Sequence, residues 1–384
     1  MRDIGVDPYG VKIMLPKAVT YLVKLNSLSN IAANILKQEM LSLGAEAALA
    51  RSSLTGEAKK TDCLLIGNSS QFRLLEEKLQ IQPFGLRDLS RQLSCALEDY
   101  SRENFRIKLG KFNLNLSKRP QIMGIVNITP DSFSGDGLYP GGGVSRDRIV
   151  AYANQLVRDG ADIIDIGGES SRPGARQLPL KEELSRVIPV IKVLAKRIKV
   201  PISIDTYKSE VARRALDNGA SIVNDISGLR DNKMSGVIRR YKAAVVIMHM
   251  KGKPTDMQKN PVYQSLIDEL LEYLGSARDK ALSAGIYREN IILDPGIGFG
   301  KTLKHNLEIL KRLEEFKILG QPILVGTSRK SFLGKILNLE AQERIFGTVA
   351  SCVLAVKNGA GILRVHDVKA VKEALKVFSA IEKR

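Results

Sequence analysis

Seven residues have side chains and sequence settings suited to chemistry on a small charged ligand. Asp205, Asn224 and Asp294 each end a short apolar run, and Lys330 follows another in Gly-Thr-Ser-Arg-Lys. Carboxylates and an amide placed together can accept paired N–H bonds from the donor-rich edge of an amino-substituted heterocycle, and a nearby ammonium can bond its carbonyl. Asn127, Arg364 and His366 form a second set, rich in donors. A guanidinium forks onto phosphate oxygens, so this set suits an anion. Glu169, Asp225, His249 and Ser328 also stand at the ends of apolar runs. For any one of these polar residues the plain alternative is a cap on the next helix, most directly for Asp205, Asn224, Asp225 and Ser328.

What would bring them together is a repeated grammar from Gln121 onward: a β-branched apolar run, a polar or glycine-rich loop, then a helical stretch. The runs are IMGIV from Ile122, ADIIDI from Ala161, PISI from Pro201, SIV from Ser221, AAVVIM from Ala243, NIIL from Asn290, PILV from Pro322 and GILRV from Gly361. Segments such as LIDELLEYLGSARDKALSAG carry 3.6-residue periodicity between them. Eight such units predict an α/β chain folded as a (β/α)8 TIM barrel, with continuously apolar strands covered on both faces. An open doubly wound sheet is the alternative architecture. In a barrel the functional site lies at the C-terminal strand ends, where these polar residues fall.

Residues 1–100 lack that grammar. They read as an extended apolar segment (VKIMLPKAVTYLVKL), a helix from about Leu28 to Leu43, a strand (AEAALA), a polar hairpin (SSLTGEAKK), a strand (DCLLIG) and one or two helices ending near Tyr100. This predicts a small α+β domain, with ferredoxin-like topology as one arrangement that the order allows. Residues 101–384 form the barrel domain, entered through a hairpin in RIKLGKFNLNLSKR.

Composition narrows the class. With 44% hydrophobic residues in 384, the chain can bury a sizeable core. Three cysteines and three histidines show no CxxC or HExxH spacing, which argues against a disulfide framework or structural zinc and suits a reducing cytosol. No run reaches the roughly 18 apolar residues of a membrane span. The net charge of +18 raises nucleic-acid binding, but 5% aromatics, no tryptophan and dispersed Lys and Arg favour solvated helix faces. DPGIGFGKT fails the Walker A spacing, because Pro295 stands where a glycine is needed. GDGLYPGGG reads as a mobile flap.

MGIVNITPDSFSGDG from Met123 and GADIIDIGGESSRPGA from Gly160, followed in order by SIDTYK, VNDISG, MHMKG, LDPGIGFGKT, GTSRKSFLG and RVHDV, resemble the dihydropteroate synthases from about Arg106 to the C-terminus. The resemblance implies condensation of 6-hydroxymethyl-7,8-dihydropterin pyrophosphate with 4-aminobenzoate for folate synthesis, with Mg²⁺ assisting, in a cytoplasmic homodimer of a class that sulfonamides target. It implies that Asp205, Asn224, Asp294, Lys330 and Met248 bind the pterin, and that Asn127, Arg364 and His366 bind pyrophosphate, Asn127 also holding Mg²⁺. Ser171, Arg172, Pro173, Phe133, Phe299 and Ser328, with Lys330, would shape the aminobenzoate site. Asp205, Lys330, Arg364 and His366 would carry the catalysis. Ser170-Ser171 stands where Ser-Thr is usual, and Asp136 is displaced by one residue in the flap, so either Asp131 or Asp136 could face substrate there. Two rivals share the pocket: a pterin-dependent methyltransferase, which would have no pyrophosphate to expel, and a non-catalytic pterin-binding protein.

Overall fold

The computed structural model describes residues 1, 3–55, 57, 59–128, 146–170 and 177–382. The chain divides into two compact units, Met1–Asp99 and Tyr100–Arg384.

In the first unit a helix (Pro8–Met14) and a 3-10 turn (Leu15–Lys17) precede β1 (Thr20–Ser29), a helix (Asn30–Ser42), β2 (Glu46–Leu49), a short helix (Arg51–Thr55), β3 (Lys60–Asn68) and two helices (Ser69–Leu79, Leu86–Tyr100). The sheet order is β1-β3-β2, with β3 antiparallel to both neighbours. This is a split β-α-β arrangement with three strands where the ferredoxin-like pattern has four. Two local expectations are corrected. The apolar N-terminal segment is extended only from Thr20, because Asp7 accepts a bond from the Tyr9 N–H at 2.8 Å and Pro8 follows, which starts a helix. The polar stretch between β2 and β3 carries the helix Arg51–Thr55 rather than a bare hairpin turn. Leu36, Met40, Leu65, Phe72, Leu75, Leu79 and Leu86 are buried in this unit's own core.

In the second unit β4 (Arg106–Leu109) and β5 (Phe112–Asn115) form an antiparallel hairpin. Eight strands follow: β6 (Gln121–Asn127), β7 (Ile163–Gly167), β8 (Ile202–Asp205), β9 (Ile222–Asp225), β10 (Ala244–Met248), β11 (Ile291–Asp294), β12 (Ile323–Val325) and β13 (Ala360–Val365). They pair in parallel in chain order and close where β13 meets β6, giving the expected TIM barrel. Helices between the strands bury one stripe against it; Ile149, Val150, Ala153 and Leu156 of Arg146–Arg158 are an example. The hairpin residues Ile107, Leu109, Leu114 and Leu116 pack with Met123, Ile163, Ile222, Ala244, Val246, Ile292, Leu324 and Ile362 of the strands. An isolated two-stranded hairpin is marginal in water. Burying each of these large apolar side chains contributes about 1.5–3 kcal/mol, so apolar burial holds the hairpin against the barrel. Among the described residues no helix is long and apolar enough to cross a membrane.

Candidate active site

The strand register places one ring of chemistry at the C-terminal ends. Asn127 lies beside Gly167, Gly167 beside Asp205, and Asp205 beside Asn224. Gly167 is small where space is needed: a Cβ there would sit 3.4 Å from Asn127 Oδ1 and 3.5 Å from Asp205 Cβ. On the far side Met248 pairs with Asp294.

Arg364 of β13 links this ring to a residue absent from the expected set, Asp165. Arg364 Nε donates to Asp165 Oδ2 at 2.6 Å and Nη2 donates to Asp205 Oδ2 at 2.7 Å. Asn224 Nδ2 donates to the same Asp165 oxygen at 3.2 Å. Asp165 is fully buried, and among the described residues its Oδ1 has no hydrogen-bond partner. The sequence signal was an acid inside the apolar run ADIIDI: a carboxylate in a strand covered on both faces must meet a cation or a ligand. The two sets expected from the sequence, acids and donors, therefore touch at Arg364. Its Nη1 makes no hydrogen bond among the described residues, which leaves a donor for an anion.

Burial pushes the Asp205 carboxyl up to about 7, against the pull of Arg364 and with Asp165 adding to the rise. Asp294 is raised for the same reason, opposed by Lys330, and its Oδ1 accepts the Gly296 N–H at 2.7 Å. Burial pushes the Lys330 ammonium down to about 8, opposed by Asp294. Lys330 Nζ lies 4.7 Å from the centroid of the Phe299 ring and donates to the Ile297 carbonyl. Met248 packs with Ile226, Met250 and Met257 against Tyr207 and Phe299, an apolar wall suited to a flat ring. Ser328 Oγ accepts the His366 N–H at 3.1 Å and lies 3.1 Å from His366 Nδ1, so Ser328 fixes the imidazole.

Three strand-end residues have structural partners instead. Asp225 accepts the Ser227 and Leu229 N–H groups and caps its own turn. Glu169 bonds Lys208 at 2.5 Å; the same ammonium also bonds Glu183 at 2.6 Å and the Leu178 carbonyl at 2.7 Å. His249 pairs with Lys301 of the loop after β11. Phe133, Ser171, Arg172 and Pro173, with Asp131 and Asp136 of the flap, lie outside the described residues.

A family model described as pterin binding enzyme matches residues 123–366. The dihydropteroate synthase of Synechocystis is 46% identical over 277 residues, 72% of this chain and 94% of that protein. A Halobacterium salinarum protein named probable bifunctional folylpolyglutamate synthase/dihydropteroate synthase is 39% identical over 378 residues, 98% of this chain and 44% of its own length, so that match reaches through the first unit. Among solved structures, Xanthomonas albilineans dihydropteroate synthase with 4-aminobenzoic acid superposes with a TM-score of 0.68 at 40% identity, covering 73% of this chain and 99% of that one. With eight parallel strands closed around a ring of buried acids and one shared arginine, and with these relatives alongside, the chain belongs to the dihydropteroate synthase family of pterin-binding enzymes.

Proposed function

We propose that this enzyme joins 6-hydroxymethyl-7,8-dihydropterin pyrophosphate to 4-aminobenzoate, giving 7,8-dihydropteroate and pyrophosphate. The observation that carries the reading is Arg364, bonded to Asp165 and Asp205 on one edge and carrying Nη1 on the other. One residue thus spans the acids suited to the ring and a donor suited to the phosphates. Asp205, Asn224, Asp294 and Lys330 hold the pterin edge, with Met248 against its face. Arg364 and His366 stabilise the charge that grows on the departing pyrophosphate, and Asp205 stabilises the cation left on the pterin. The methylene carbon–oxygen bond breaks, the aromatic amine forms the carbon–nitrogen bond, and one amine proton is released. No strong base is needed, because an aromatic amine is already neutral at pH 7. Phe299 and Ser328, with Phe133, Ser171, Arg172 and Pro173, form the aminobenzoate side.

The described residues fit Mg²⁺ in a limited way: they hold no cluster of three His, Cys, Asp or Glu that could cage a metal. Mg²⁺ keeps several waters and binds through few protein groups plus substrate phosphates, so Asn127 at the end of β6 is a sufficient protein ligand. When bound it supplies charge neutralisation at the leaving group. A homodimer is supported by Phe346 and Leu354 on the helix Ile345–Lys357 and by Ile336 and Leu337 on Ser331–Leu337, all apolar and exposed. Three free thiols suit the reducing cytosol. Purified enzyme given both substrates and Mg²⁺ releases pyrophosphate and forms dihydropteroate; absence of both products at saturating substrate would refute the reading.

A further inference from the structure

Lys301 is a buried lysine, 3% exposed, that forms no ion pair with any described residue. Its ammonium instead lies 2.9 Å from His249 Nδ1, 3.0 Å from the Phe299 carbonyl and 3.5 Å from the His249 carbonyl. Removing a charge from water is costly, so a lysine kept here with neutral acceptors calls for a local reason.

Geometry supplies one. Lys301 follows Phe299 and Gly300 in the loop after β11, and His249 follows β10. The two loops touch: a Cβ on Gly296 would lie 2.0 Å from the His249 carbonyl oxygen, and one on Gly300 would lie 2.6 Å from the Lys251 carbonyl oxygen. Both glycines have positive φ. The Lys301 ammonium bridges that seam and bonds the backbone of Phe299, whose ring lies beneath Lys330 Nζ and against Met248. His249 is itself braced by the Tyr273 ring at 4.8 Å and Tyr263 at 6.1 Å. Tyr263 donates to the Gly300 carbonyl at 2.8 Å, a second tie across the seam.

We propose that Lys301, locked onto the neutral imidazole of His249, is a positioning residue that fixes Phe299 and so sets affinity on the aminobenzoate side of the site. The proposal rests on the reading of Phe299 as part of that side. Because an ammonium can only donate, His249 must present the Nδ1 lone pair and carry its hydrogen on Nε2. Burial holds His249 far below its usual range, to about 2, with Lys301, Arg230 and Lys251 adding to the effect. Burial likewise brings Lys301 down to about 7, with Asp294 opposing and Lys330 and Lys251 reinforcing. Above that pH the amine still donates to the imidazole and to a carbonyl, but with weaker, uncharged bonds.

The chain has only three histidines, so nitrogen-15 NMR of the full-length enzyme can resolve each ring. His249 is expected as the Nε2–H tautomer, without titration from about pH 5 to 8. A hydrogen on Nδ1, or titration near the ordinary histidine range, would overturn the lock even if no variant folded. In Lys301→Met, amide exchange at Phe299 is expected to quicken, and the KM for 4-aminobenzoate to rise about tenfold, the scale of a lost charged hydrogen bond. The kcat and the KM for the pterin pyrophosphate should change several-fold less than the KM for 4-aminobenzoate. Unchanged exchange, or a parallel fall in every kinetic parameter, overturns the proposal. Phe299→Ala separates the two ideas. If it leaves the aminobenzoate KM unchanged, the reading of Phe299 fails while the exchange measurement still tests the tie. If it raises that KM and Lys301→Met does not, the tie fails.

Discussion

Arg364 reaches across the barrel interior from β13 to Asp165 on β7, with Nε 2.6 Å from Oδ2. Asp165 is fully buried and the Arg364 side chain 19% exposed, so water screens this pair only weakly. Asp165→Ala leaves Arg364 with Asp205 as its remaining acid and takes the acceptor from Asn224, and should lower stability by about 2 kcal/mol. Asp165→Asn keeps the shape and should cost less. Urea unfolding of both variants measures the difference; a loss under about 1 kcal/mol for the alanine variant would put the pair among solvent-screened ones.

A second expectation concerns the shape of the guanidinium. Arg364→Lys keeps a positive charge near Asp165 and Asp205 but loses the fork that bonds both and still presents Nη1. Turnover should fall on the order of 100-fold, the scale of one lost transition-state donor, while pterin affinity stays within about threefold. Equal losses in kcat and in binding, read by steady-state kinetics and calorimetry, would argue against a leaving-group role.

The acid–base behaviour should be bell-shaped and narrow. Asp205, raised by burial to about 7, must ionise to accept the pterin N–H groups, so pterin pyrophosphate affinity rises with pH up to about 7. Lys330, lowered by burial to about 8, loses its charge above that pH, so the alkaline limb lies there. Stability moves the other way on the acid side. With its folded pKa above its unfolded value, Asp205 binds a proton in the native state between about 4 and 7, and its contribution to stability falls as pH rises through that window. The pH profile of kcat/KM tests the first pair of statements, and Asp205→Asn should remove the acid limb. A profile flat from pH 6 to 9 would contradict both assignments.

Chelation separates a substrate-borne ion from a structural one. Because the described residues offer no metal cage, EDTA should sharply reduce turnover of the pyrophosphate ester and leave the melting temperature unchanged. A drop in melting temperature with EDTA would point to a metal held by the fold itself.

The barrel was legible because its strands are continuously apolar and end in polar residues, a pattern that needs no tertiary knowledge. The placement of Asp205, Asn224 and Asp294 at the C-terminal strand ends was legible for the same reason, while Lys330 lies in the loop after β12. Asp165 was not, because it lies inside a run, where periodicity assigns it to the core. Nor was the engagement of Arg364, since only barrel closure brings β13 within reach of β7 and β8. Glu169 and Asp225 look like mouth residues by position, yet an ammonium and two backbone N–H groups claim them. The helix Pro8–Met14 had a readable start in Asp7-Pro8, outweighed by the apolar residues around it.

The hairpin of β4 and β5 gives the barrel a floor of isoleucine and leucine. A barrel filled and floored in this way leaves one open face, and both substrates must arrive and leave by it. With the pterin edge read onto Asp205 and onto Asp294, which is 6% exposed, the pterin is expected to load first and dihydropteroate to clear before the next pterin. Product-inhibition patterns would record that order as compulsory, and a random order would mean that the rim admits both substrates side by side.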